Sequence, residues 1–138
     1  MNEKITCMTE FDINRLESFV TGVKKSYRYN HNVLESLQEE IGRCLVVDAR
    51  EISPDVVTLN SRVRLRDLDN DQEMILTLAL PGTANLKDGR ISVASPIGTA
   101  MLGYAAGDTI EWQVPSGKKC IRIEEVLYQP EAAGDYHL

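Results

Sequence analysis

The spacing of apolar residues changes once along the chain. Between residues 9 and 45 it is helical, in two stripes made of Ile13, Leu16, Val20 and Val23 and of Leu34, Leu37, Ile41 and Leu45. Such spacing places each stripe on one face of an amphipathic helix. The pattern predicts two helices of about 14 residues, each about 20 Å long, that bury their stripes on one another. Together they would form a short antiparallel hairpin, a stubby coiled coil.

The first helix carries a start signal. Thr9 is followed three residues later by Asp12, the capping-box pattern in which a hydroxyl and an acid satisfy free backbone N–H groups. The second helix is predicted to begin at Asn30 or Asn32, after a polar segment without any helical stripe.

Beyond Pro54 the apolar residues recur at every second position, which indicates half-buried strands. Apolar residues alternate with arginines in 62–66, and turn residues separate the further predicted strands at 73–80, 90–93, 110–114 and 120–128. These strands predict an antiparallel sheet of five or six strands. With one short helix packed on it, the chain is predicted to be an α+β protein, divided into a hairpin at 1–52 and a sheet domain at 53–138.

The short helix is predicted from a dense set of backbone signals. Ser95 suits the cap position, because its hydroxyl accepts from a free N–H group, and Pro96 suits the first helical position, where no donor is needed. Gly103 supplies a left-handed stop. Met101 and Leu102 are predicted to face the core, whereas Ile97 is predicted at an exposed corner.

Composition indicates a soluble globular protein. Of the 138 residues, 43% are hydrophobic and 26% charged. Apolar runs are far shorter than the ~20 residues that span a bilayer, and the N-terminus shows no signal region. The expectation is therefore a cytoplasmic protein with no membrane association.

The charge argues against direct nucleic-acid binding. The net charge is −6 and the isoelectric point about 4.9, whereas proteins that grip phosphates present basic faces. A protein partner fits this balance better, and no small-molecule substrate is expected.

The sequence contains no recognisable set of residues for catalysis, metal binding or cofactor binding. The two histidines, His31 and His137, fall in a predicted loop and near the end of the chain, and no nucleotide-binding glycine motif occurs. The three cysteines are far apart. Alternating aspartates at 67, 69 and 71 lack the glycine and glutamate of a calcium loop. We therefore predict no catalytic residues, no metal site and no cofactor.

Two segments resemble a known family. The runs Val56–Val63 and Gly89–Gly103 are similar to the C-terminal domain of the Gre family of bacterial transcription factors. Residues 54–61 and 128–136 further resemble its Rnk subgroup, named for regulators of nucleoside diphosphate kinase. The resemblance covers about residues 53 to 138 and implies an FKBP-like fold.

The resemblance also implies a partner. Gre factors use a loop of this domain to grip a coiled-coil projection of the largest RNA polymerase subunit, at the rim of the secondary channel. Carried over by motif, the partner-binding residues of this chain are predicted to be Ala94, Ser95, Pro96, Ile97 and Gly98.

The chain departs from Gre factors at the tip of its hairpin. In Gre factors a long coiled coil enters the secondary channel, and acidic side chains at its tip hold a catalytic Mg²⁺. Here no acid lies between Glu17 and Glu35, and the hairpin is short. The tip carries instead a basic, tyrosine-containing set, which is either a solvated connection or a contact to an acidic surface: Lys24, Lys25, Tyr27, Arg28 and Tyr29.

These considerations predict a regulator of transcription elongation that is not an enzyme. It would dock on RNA polymerase, compete with Gre factors and change nucleoside diphosphate kinase levels indirectly. Two alternatives stay open: a binding module for another protein, such as the kinase itself, and a peptidyl-prolyl isomerase suggested by the FKBP-like fold. Aromatic residues normally line an isomerase pocket, and this chain has only 2 Phe and 1 Trp besides its 5 Tyr, which argues against the isomerase.

The segment after Pro130 would be either a frayed end or a tail docked through Tyr136 and Leu138.

Overall fold

The two predicted helices are present. A computed structural model describes residues 6–23, 31–114, 117–136 and 138. Helix α1 spans Glu10–Val23 and helix α2 spans His31–Arg43. The hydroxyl half of the predicted capping box is confirmed, because Thr9 Oγ1 accepts a hydrogen bond from the Asp12 backbone N–H at 3.2 Å. The acid half is wrong, because the Asp12 carboxylate accepts from Arg15 and from the Leu59 N–H instead. The predicted tip contacts at 24–29 lie outside the described residues.

The strands form one short pair and one larger sheet. Strands β1 (Cys7–Met8) and β2 (Leu45–Val46) pair in parallel. Within the described residues the larger sheet has five strands in the order β5-β4-β3-β7-β6. Their bounds are Arg62–Asp67 (β3), Gln72–Ala79 (β4), Arg90–Ser92 (β5), Thr109–Val114 (β6) and Gly117–Tyr128 (β7). Helices α3 (Pro96–Met101) and α4 (Pro130–Ala133) complete the α+β fold, which confirms the predicted class.

One strand pairing differs from the prediction. The sheet is not wholly antiparallel, because β5 pairs in parallel with β4, with Leu78 opposite Ile91. Asp88 and Gly89 are among the turn residues that separate the predicted strands, and a turn is present there, with Gly89 at φ 73°. It connects the two residues of a short bridge, Asn85 and Arg90. The turn therefore closes a small loop within residues 80–89, the connection between β4 and β5. This connection carries the chain back, so that β5 runs in the same direction as β4.

Helices and sheet share one hydrophobic core. Leu16 and Leu37, from the two long helices, belong to the same buried cluster as Leu65 of β3 and Ile123 of β7, all fully buried. Burial of a leucine side chain contributes about 2 kcal/mol, so these contacts fasten the helices to the sheet. The predicted division into two domains at residue 52 stays a prediction.

The C-terminal segment is held by hydrogen bonds and not, as predicted for a docked tail, by the side chains of Tyr136 and Leu138, which are both exposed. Gln129 Nε2 donates to the carbonyl oxygens of Ser53 at 2.7 Å and Val56 at 2.8 Å. Arg15 Nη2 of α1 donates to the carbonyl oxygen of Leu138 at 2.8 Å. The tail thereby ties the start of the sheet domain to the first helix. No described helix is long and apolar enough to cross a membrane.

Candidate protein-binding surface

Ser95 holds the turn that leads into α3. Its hydroxyl donates to the Ser92 carbonyl oxygen at 2.6 Å and accepts from the Gly98 backbone N–H at 3.1 Å. Its φ of −89° and ψ of 158° are extended, and Pro96 follows at the start of the helix. One side chain therefore fixes both ends of the turn, as the sequence predicts for a cap.

Close packing beneath the turn requires a glycine. A Cβ atom on Gly98 would lie 2.0 Å from the Ser92 carbonyl oxygen. Thr99, which is buried, donates its hydroxyl to the Val93 carbonyl oxygen at 2.7 Å. The helix therefore sits directly on the end of β5, and the loop has little freedom to change shape.

The five predicted contact residues differ in how far their side chains are exposed to solvent. Pro96 is exposed, Ala94 and Ser95 are half-buried, and Gly98 is buried. Ile97 is also half-buried and packs against the core, so the expectation of an exposed Ile97 was wrong. Helix α3 packs on β6 and is bonded to the chain just after β5, so the side chain of Ile97 reaches the core cluster. The role of the five residues Ala94 to Gly98 in partner binding stays a prediction.

Pro96 stands at the edge of a groove of about 580 Å³ that is open to solvent. One side of the groove comes from helix α2, through Asn32, Val33, Ser36, Glu39, Glu40 and Arg43. The other side comes from α3, the segment that follows it and β6, through Pro96, Thr99, Ala100, Tyr104, Thr109, Ile110 and Glu111. The groove therefore lies between the second helix of the hairpin and the predicted docking loop.

A family of proteins shares this domain. The family model described as "Transcription elongation factor, GreA/GreB, C-term" matches residues 52–128. The chain belongs to the GreA/GreB family. The matched segment includes the whole of β3 to β7 and the Ser95 turn.

Curated relatives and a solved structure agree with the GreA/GreB assignment. The regulator of nucleoside diphosphate kinase of Escherichia coli is 38% identical over 77% of this chain and 79% of its own length. The transcription elongation factor GreA of Sulfurovum sp. is 38% identical over 73% of this chain and 62% of its own length. A prokaryotic transcription elongation factor GreA/GreB from Nitrosomonas europaea superposes with a TM-score of 0.74 at 37% identity, covering 89% of this chain and 99% of that one.

The names of these GreA/GreB relatives are those of regulators and transcription elongation factors. Within the described ranges of this chain, no three His, Cys, Asp or Glu side chains are grouped so that they would hold a metal ion.

The acidic charges of the groove outnumber its basic ones. Glu39, Glu40 and Glu111 line it together with one arginine, Arg43. Arg43 forms an ion pair with Glu40, and Glu111 lies 3.8 Å from Lys118 Nζ at the surface. Sequence reasoning found Pro96 but missed the wall formed by α2.

Tyr104 adds a hydroxyl to the groove. Burial, together with the negative charge of Glu40, raises the pKa of the Tyr104 hydroxyl above its ordinary value of 10.0, and Arg43 opposes the shift.

Proposed function

We propose that this chain regulates transcription by binding RNA polymerase at the rim of the secondary channel, where Gre factors also dock. The surface would be the loop Ala94–Gly98. The observation that carries the proposal is that the family match covers the domain bearing this loop, while residues 18–34 contain no acid. The docking part is thus of the Gre type, and the carboxylates that would deliver Mg²⁺ are missing.

The rigid shape of the loop supports this role. A binding loop held in one conformation loses little entropy when its partner docks. The double hydrogen bond of Ser95 and the close approach of Gly98 to Ser92 provide that rigidity. Pro96, exposed on this frame, would contact the partner without rearrangement.

The chain would act by occupying the docking site on the polymerase. A chain that fills the docking site without a metal-binding tip excludes Gre factors and supplies no cleavage. An effect on nucleoside diphosphate kinase, suggested by the name of the Escherichia coli relative, would follow from altered transcription.

A cleavage assay tests the proposal. Purified polymerase with backtracked RNA is treated with GreA, and this chain is added in increasing amounts. We expect GreA-stimulated cleavage to fall and to recover when more GreA is added, while the chain alone gives none. Undiminished cleavage at a large excess of the chain would contradict the proposal.

A variant locates the surface. Pro96→Glu places a charge on the exposed residue, and an acid in the first turn of a helix is compatible with its dipole. It should lose the inhibition. Pro54→Glu, the same change at an exposed proline outside the groove, should keep it. This pair avoids Ile97, where an acid would disturb the core.

The same relative's name favours one second candidate, direct binding to the kinase. A pull-down with the intact chain distinguishes the two. Recovery of nucleoside diphosphate kinase without polymerase subunits would favour the direct route.

A further inference from the structure

A second groove, of about 680 Å³ and open to solvent, lies between the start of α1, the segment from Val46 to Arg50 and the C-terminal tail. It shares no lining residue with the groove beside α3. All of its lining residues also lie outside the 52–128 family match. The second groove is therefore a feature separate from the predicted docking loop.

The second groove exposes large apolar side chains. Phe11 is 44% exposed, Val46 57% and Tyr136 47%, and all three line the groove. They come from α1, β2 and the tail, which are far apart in the sequence. Large apolar side chains that folding brings together and leaves open to water are typical of a surface that a protein covers.

The Phe11 ring is held in place. The guanidinium carbon of Arg15 lies 4.1 Å from the centroid of the ring, so one face of the ring is covered. Arg15 is itself fixed, because it donates to the carboxylate of Asp12 and to the carbonyl oxygen of Leu138. A side chain that is already fixed loses little entropy when another molecule packs on it.

Two exposed charges of opposite sign line the second groove. They are Glu10 and Arg50, and neither forms an ion pair within the described part of the chain. The nearby Asp48 is part of a turn, since its carboxylate accepts from the Arg50 backbone N–H at 2.9 Å. Across a twofold axis a surface meets a copy of itself, so an acid and a base on the same surface can pair twice.

We propose that the second groove is the contact surface of a symmetric dimer of this chain. Phe11, Val46 and Tyr136 of the two copies pack together, and Arg50 of each copy pairs with Glu10 of the other. Across an offset axis, the Phe11 side of each groove enters the groove of the other copy. A partner that carried charges of one sign would leave either Glu10 or Arg50 unmatched. The inference goes beyond the proposed function and does not depend on it.

The size of the surface sets the expected strength of the dimer. Nine residues line the second groove, whereas a standard interface uses about 20–30 residues on each side. We therefore expect a weak dimer, with a Kd of about 100 µM.

Sedimentation equilibrium of the full chain tests the dimer. Between about 10 µM and about 1 mM, a range that brackets the expected Kd, the mass of the wild type should rise from 15.4 kDa toward twice that value. Arg50→Glu places like charges opposite each other twice, and should raise the Kd at least about tenfold. Glu10→Lys should do the same. The double variant restores both pairs and should return the Kd to within about threefold of the wild type.

A matched control exists for the charge reversal. Lys87 is exposed and does not line the second groove. Lys87→Glu changes the net charge as Arg50→Glu does, so it measures the effect of net charge alone. Circular dichroism of each variant checks that the secondary structure is retained.

The apolar contact has its own pair of variants. Val46→Ser removes apolar surface from both copies and should raise the Kd about fivefold. Leu86→Ser is the control, because Leu86 is 76% exposed and lies outside the second groove. The exposed charge variants keep the test valid if Val46→Ser disturbs β2.

Recovery of the dimer in the double charge variant, with Lys87→Glu close to the wild type, supports the proposal. A wild type that stays at 15.4 kDa throughout overturns it. A dimer that Arg50→Glu weakens no more than Lys87→Glu uses another surface, which also overturns it. A double variant as weak as the single ones overturns the pairing of Glu10 with Arg50. None of these results bears on polymerase binding, which is measured separately.

Discussion

The carboxylate of Asp12 on α1 accepts a hydrogen bond from the backbone N–H of Leu59 at 3.0 Å. Asp12 is 1% exposed and Leu59 is fully buried, so the bond joins the first helix to the start of the sheet domain inside the protein. Arg15, one turn later on α1, donates to the other carboxylate oxygen. A buried charge is therefore part of the connection between hairpin and sheet.

This arrangement makes stability depend on pH. Burial raises the pKa of Asp12 from 3.8 to about 6, opposed by Arg15 and the Leu59 N–H and assisted by the charge of Glu131. Because the folded state holds the proton more tightly than the unfolded chain, the contribution of Asp12 to stability is largest below pH 3.8. It falls as pH rises to about 6 and is constant above that value.

Asp12→Asn removes this titration. Urea unfolding at pH 7.5 and pH 5 should show that wild type gains about 1 kcal/mol more on acidification than the variant does. Comparing the two proteins cancels the other titrating groups. Equal gains in both would show that Asp12 ionises normally in the folded state.

The Ser95 turn gives a second prediction. Ser95→Ala removes the acceptor for Gly98 N–H and the donor to Ser92, and should lower the free energy of unfolding by about 1 kcal/mol. Ser95→Thr keeps the hydroxyl and should recover most of that loss. The idea fails if thermal melts of the alanine and threonine variants coincide.

Gly98 gives a third prediction, with a control elsewhere in the chain. Gly98→Ala forces a methyl group against the Ser92 carbonyl oxygen and should cost at least about 2 kcal/mol. Gly42, within α2, has nothing within 4 Å of a built Cβ atom, so Gly42→Ala should be neutral or stabilise by up to about 1 kcal/mol. Similar melting temperatures for the two variants would contradict the close packing of α3 on β5.

Local features of this fold were predictable, and non-local ones were not. The caps formed by Thr9 and Ser95 each depend on contacts within three residues, so the residue types alone identify them. The burial of Asp12 was missed, because its partner Leu59 is 47 positions away and an acid in the first turn usually faces water. The parallel pairing of β5 was missed for a similar reason: an Asp-Gly turn favours a hairpin but does not say which strands it joins.

The candidate site was predictable to the same extent. The turn signals identified Pro96 and its neighbours, and the resemblance gave them a role. The α2 wall of the groove arises only when helix and sheet pack together. Its one sequence signal was Val33, an apolar residue beside the predicted stripe of Leu34, Leu37 and Ile41.

A polymerase docking site shared with Gre factors is tested by equilibrium binding of the labelled full chain to core RNA polymerase, with GreA titrated as an unlabelled competitor. We expect saturable binding that GreA displaces completely. No binding at micromolar concentrations, or binding that GreA leaves unchanged, would contradict the shared site.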